Sequence, residues 1–181
     1  MTVRRFAELP VVRWKNGLGI TREVAMGPPD ATSGDFAWRV SVADVDTASP
    51  FSVFPGIDRT IVLLEGAGFT MTLDGERTHA LTRALEPFAF AGESRVEVEL
   101  AGGATRDFNL MVRRGHARGN LGVLKASSPL TLPTDCVVAH VADGVAYVDG
   151  VTLARGDSWT GTGQLSPAPD CTLVIVTISG L

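Results

Sequence analysis

The chain has 181 residues, 45% hydrophobic and 20% charged, with 16 basic against 20 acidic side chains for a formal net charge of -4. That length holds one ordinary domain or two small units, and the composition excludes a disordered tail. The acidic balance argues against nucleic acid as a partner, and the apolar runs break well short of the roughly 18 residues of a membrane-spanning helix.

The opening residues, Met1 to Glu8, carry Arg4 and Arg5 but no apolar stretch behind them, so no secretory signal is expected and the cytoplasm is the expected compartment. Next comes Trp14-Lys15-Asn16-Gly17-Leu18-Gly19-Ile20-Thr21-Arg22-Glu23. A glycine-containing turn beside Asn16 lets backbone amides approach another group, and Arg22 and Glu23 then leave on opposite faces of a strand. Phe36 to Ala43 alternates, with Phe36, Trp38, Val40 and Val42 on one face and Arg39 and Ser41 on the other. Pro50 to Arg59 is a rigid aromatic turn containing Phe51 and Phe54, which delivers Asp58 and Arg59 to the mouth of the strand Arg59–Leu64. Asp74-Gly75 suits a hairpin, and Arg77–Glu86 is read as two helical turns ahead of Pro87. Glu93 to Leu100 alternates as a half-solvated strand, and Asp107, Asn109 and Met111 share a face in Asp107–Arg113. After the basic, glycine-containing stretch Arg113–Gly119 the chain is plainer. Strands are expected over Val137–Val141, Val145–Leu153 and Cys171–Ile178, with Asp143-Gly144 and Asp149-Gly150 as turns.

Gly 20 and Pro 10 make up about a sixth of the chain, above the usual 12% or so, and fit many short strands joined by turns. The expected class is therefore all-β, with few or no helices. A first barrel over residues 1–118 carries the site, and a smaller second barrel spans 119–181, with strand exchange between the two allowed for. Cys136 and Cys171 sit in strand-like apolar contexts and read as reduced core residues.

Several chemistries lack their signature. His79, His116 and His140 share neither a strand nor a helical turn, and no Gly-x-Ser-x-Gly elbow, phosphate loop or dinucleotide fingerprint is present. No catalytic residue, metal ligand or cofactor is assigned. What stands out is polar residues on otherwise apolar strands. They form either a solvated outer face or the inner face of a ligand-holding barrel. Two or three arginines with Asn, Ser and aromatic walls suit a small planar anion, because a guanidinium grips a carboxylate through two parallel bonds. Arg59 has a competing role as an ion-pair partner of Asp58.

These blocks resemble the HutD/Ves family, through Trp14–Glu23, Phe36–Ala43, Pro50–Arg59, Leu63–Gly66 and Asp107–Arg114. The resemblance implies a compact double cupin without the usual metal-binding histidines. It also implies a non-enzymatic regulator of histidine utilization that senses urocanate or N-formylglutamate. On residue pattern and resemblance together, the ligand-binding set is Asn16, Arg22, Arg39, Ser41, Phe54, Arg59, Asn109 and Met111, and the partner is a small anionic metabolite. A homodimer is left open. Leu18 stands where the family pattern has a glycine, which implies a narrowed or altered specificity. Two other readings remain. One is a metal-independent cupin-type isomerase or hydrolase using Asp58, Glu23, Asp107 or His79; the other is an interaction module docking a protein on Phe51 and Phe54.

Overall fold

The structure, a computed structural model, describes residues 2–14, 17–32 and 34–180. In chain order the strands are β1 (Thr2–Arg4), β2 (Val11–Arg13), β3 (Gly19–Gly27), β4 (Trp38–Val45), β5 (Ile57–Glu65), β6 (Phe69–Leu73), β7 (Arg77–Leu81), β8 (Phe88–Ala91) and β9 (Val96–Leu100). They continue with β10 (Thr105–Arg113), β11 (Arg118–Ala126), β12 (Leu130–Thr131), β13 (Cys136–Asp143), β14 (Val145–Val148), β15 (Val151–Ala154), β16 (Ser158–Thr160), β17 (Gln164–Pro167) and β18 (Cys171–Ser179). One 3-10 turn, Phe6–Glu8, is the helical element among the described residues. No helix there is long and apolar enough to cross a membrane.

The chain divides into two compact units, Pro10–His116 and Met1–Leu9 with Ala117–Leu181. The first nine residues thus group with the C-terminal unit. The physical reason is strand exchange: β1 pairs antiparallel with β16, Val3 opposite Trp159. Arg5 then ties down the segment through Asp157 at 2.6 Å.

The unit Pro10–His116 has a six-stranded sheet in the order β2-β3-β4-β10-β5-β8 and a three-stranded sheet in the order β7-β6-β9. Both sheets supply its core, with Ile61 and Leu63 from the larger sheet meeting Phe69, Met71, Leu73, Leu81 and Val96 from the smaller. The other unit has a five-stranded sheet, β1-β16-β13-β18-β11, and a four-stranded one, β12-β17-β14-β15. Its core centres on Val141, Ala146, Leu153, Leu165, Cys171 and Leu173. Cys136 and Cys171 are both buried and reduced, and burial raises the Cys136 thiol to about 11.

The helix expected over Arg77–Glu86 does not form. Arg77–Leu81 is instead strand β7, Met71 opposite His79, because the Asp74-Gly75 turn folds it back onto β6. Asp74 and Gly75 have φ of 55° and 74°, the left-handed pair that a tight hairpin requires. Tertiary pairing overrides a weak local propensity here.

Candidate ligand-binding site

The site is built on the face of the six-stranded sheet that meets the three-stranded one. Alternation puts Arg39, Ser41 and Ala43 of β4 on this face, with Arg59, Ile61 and Leu63 of β5 and Asp107, Asn109 and Met111 of β10. The register brings them together across three adjacent strands. Met111 lies opposite both Arg39 and Arg59, Asn109 opposite both Ser41 and Ile61, and Asp107 opposite both Ala43 and Leu63. These polar residues are interior: Ser41, Arg59, Asp107 and Asn109 are 3%, 6%, 1% and 4% exposed.

Arg59 has an unusual environment. Its Nη2 donates to Asn109 Oδ1 at 3.0 Å, and its buried Nε has no hydrogen-bond partner. Its guanidinium carbon lies 4.8 Å from the centre of the Phe90 ring, 5.1 Å from Phe51 and 5.7 Å from Phe54, within cation–π range of all three. Burial lowers the Arg59 pKa to about 10, with the positive charge of Arg39 pushing the same way and Asp107 opposing. The arginine stays charged at neutral pH, and the competing role as an ion-pair partner of Asp58 is not taken up. Asp58 is exposed and pairs with Arg114 at 3.3 Å.

The aromatic walls are held by backbone bonds. Phe51 N–H donates to Val96 O at 3.0 Å, and Phe54 N–H to Gly92 O at 2.7 Å. Gly92 has to be glycine for this, since a Cβ there would sit 2.6 Å from Phe54 O. The turn ends at Gly56, φ 75°, which sends the chain into β5.

Behind Arg59 the network continues. Asn109 Nδ2 donates to Asp107 Oδ1, and Asp107 Oδ2 is buried with no partner. Burial pushes Asp107 up to about 7, despite Arg59 and the Asn109 bond acting to lower it. On the far side of Met111, Arg39 Nε donates to Glu23 Oε2 at 3.3 Å, and the two side chains are 13% and 29% exposed. That pair is the more open part of the site.

Of the expected site residues, the structure brings together Arg39, Ser41, Phe54, Arg59, Asn109 and Met111. Met111 packs with Phe36 and Ile57, and half-buried Phe54 lies against that cluster. Arg22 goes elsewhere. It pairs across to Val42, on the other face of the sheet, and bonds Asp44, which also takes Arg106 Nε at 2.6 Å. Burial alone would raise the Asp44 pKa, but the two arginines hold it below its usual range. Glu23, one residue on, is the member of that segment that faces Arg39. Asn16 lies outside the described residues. Asp107, Phe51 and Phe90 complete the site beyond the expected set. The alternation of Asp107 with Asn109 signals the first; Phe90, in the short strand β8, has no comparable signal.

Among the described residues no three His, Cys, Asp or Glu side chains converge. His79 stacks on Phe88 at 3.6 Å, His116 is exposed near Arg114 O, and His140 contacts Ser158 Oγ at 2.9 Å in the other unit.

The paired sheets with a polar interior define an all-β protein of the cupin fold. A cupin 2 conserved barrel domain protein from Leptotrichia buccalis superposes with a TM-score of 0.58 at 11% identity, covering 98% of this chain and 95% of its own. The chain belongs to the HutD family, whose model matches residues 6–172. HutD from Pseudomonas fluorescens SBW25, solved in a formate condition, is 31% identical with a TM-score of 0.82, covering 99% of both chains. A 21.2 kDa protein in the hutC 3' region of Pseudomonas putida is 36% identical over 138 residues, 76% of this chain and 72% of its own. Protein Ves of Cronobacter sakazakii is 43% identical over 117 residues, which span 64% of this chain and 62% of that protein.

Proposed function

We propose that the interior of the Pro10–His116 unit binds a small organic carboxylate, and that the protein is a non-enzymatic sensor in histidine utilization, with urocanate or N-formylglutamate as its ligand. The observation that carries this reading is Arg59: a buried, charged guanidinium boxed by three rings, with Nε unpartnered and its nearest opposing charge, Asp107, reached only through Asn109. Leaving such a donor unmet is unfavourable, and an anion placed against it would meet both the charge and the hydrogen bond. Arg39, paired with Glu23 on the less buried side of the site, adds a second guanidinium, and Ser41 and Asn109 add polar edges. The connection to histidine utilization comes from the names of the HutD and hutC-region relatives.

Asp107, raised to about 7 inside the site, favours an enzymatic alternative, since an acid or base poised near neutral pH suits proton transfer. Turnover of a bound compound would decide for that alternative.

Thermal melting tests the binding reading. With urocanate, N-formylglutamate, histidine or formate at about 100 times the dissociation constant, stability should rise by roughly 2.7 kcal/mol, a shift of several degrees. Arg59→Ala should abolish the shift with the fold retained. No shift with any of the four in the wild type would overturn the reading, and global unfolding of the variant would recast Arg59 as structural.

A further inference from the structure

Of the four buried side-chain polar atoms without a hydrogen-bond partner among the described residues, two lie at the two ends of one hydrogen-bonded chain in this unit. Arg59 Nη2 donates to Asn109 Oδ1, and Asn109 Nδ2 donates to Asp107 Oδ1. Arg59 Nε is left over at one end and Asp107 Oδ2 at the other. The bond from Arg59 fixes the Asn109 amide, because only one flip places its oxygen toward a guanidinium. The amide nitrogen must then face Asp107, so Asp107 Oδ1 is committed and Oδ2 is the atom with capacity to spare. The leftover pair is chemically unlike. One is a donor that cannot accept; the other is an oxygen that accepts when the carboxyl is ionised. Both side chains are more than nine-tenths buried, on the same face of neighbouring strands.

We infer that Asp107 is a specificity-determining residue, and that the site takes carboxylates that also carry an N–H or O–H donor, the carboxylate meeting Arg59 Nε and the donor meeting Asp107 Oδ2. This rests on the carboxylate-binding reading and narrows it. A plain carboxylate meets the arginine but leaves a buried anionic oxygen unsolvated, whereas an acid with a donor several bonds away satisfies both. A buried site that hydrogen-bonds a substrate N–H rejects the analogue lacking it, because the site's own group is then unpaired. Asn109 is the positioning residue between the two ends: it touches both and sets their orientation.

The test uses two acids matched in shape, urocanate and 3-(furan-3-yl)acrylate, which lacks the ring N–H. Both are titrated calorimetrically at pH 8, above the Asp107 value of about 7. The wild type should prefer urocanate by about 10- to 150-fold, the worth of one charge-assisted bond. Asp107→Asn is nearly isosteric and keeps the acceptor that Asn109 needs, but turns the free oxygen into an amide donor. It should bring the two affinities level or favour the furan. Arg59→Gln should weaken both acids together. Equal affinity of the two acids in the wild type, or an unchanged preference in Asp107→Asn, overturns the inference and leaves carboxylate binding standing. Failure of the wild type to bind either acid or formate overturns both.

Discussion

Arg59 and Asn109 meet across β5 and β10, the guanidinium donating to the amide oxygen at 3.0 Å, and this bond orients the buried polar chain that runs on to Asp107. Asn109→Leu removes the middle of that chain. It strands one donor of Arg59 and one acceptor of Asp107, each buried, so unfolding stability should fall by about 1–3 kcal/mol. Urea denaturation of both proteins measures the difference. An unchanged midpoint would mean that the chain is satisfied without Asn109.

Asp107 makes stability depend on pH in a defined direction. Its folded-state value of about 7 lies above the ordinary 3.8, so between those limits the folded protein holds a proton that the unfolded chain has released. The Asp107 contribution to stability therefore falls as pH rises from about 4 to about 7 and is level above that. Asp107→Asn lacks this slope, so its melting temperature should gain on the wild type between pH 5 and pH 8. A constant gap across that range would show that Asp107 ionises normally.

Arg22 should separate from the site. It sits on the opposite face of the sheet from Arg39 and Arg59, where it and Arg106 share Asp44. The Arg22 and Asp44 side chains are 19% and 18% exposed, so the pair is partly desolvated. Arg22→Ala should lower stability by about 1–2 kcal/mol and leave carboxylate affinity within twofold of the wild type. Thermal melting and titration of the same sample read both. A large loss of affinity with stability intact would return Arg22 to the binding set.

The fold class was legible because period-2 alternation and Asp-Gly turns act locally. Phe36–Ala43 and Asp107–Arg113 became strands, and the alternation of Arg39 with Ser41, and of Asn109 with Met111, identified the residues of one face. Which face was interior was not legible from alternation, since polar residues on a strand read alike whether they meet water or a second sheet. Arg22 and Glu23 show the limit. Adjacent charged residues necessarily point to opposite faces, and only the register of β3 against β4 decides that Glu23, beside Ser41, joins the site. Phe90 was invisible because it reaches Arg59 through the pairing of β5 with β8, a long-range match that no local pattern records. Arg77–Leu81 went the other way: a short stretch with mild helical character became a strand because the hairpin at Asp74-Gly75 gave it a partner.

The carboxylate-binding proposal puts an organic acid against Arg59 inside the Pro10–His116 unit. A crystal structure of the protein grown with urocanate tests it most directly. The account requires density for the acid within the ring of Phe51, Phe54 and Phe90, its carboxylate within hydrogen-bond distance of Arg59 Nε. Ligand density only at the protein surface, with Arg59 Nε bonded to the protein's own groups, would contradict it.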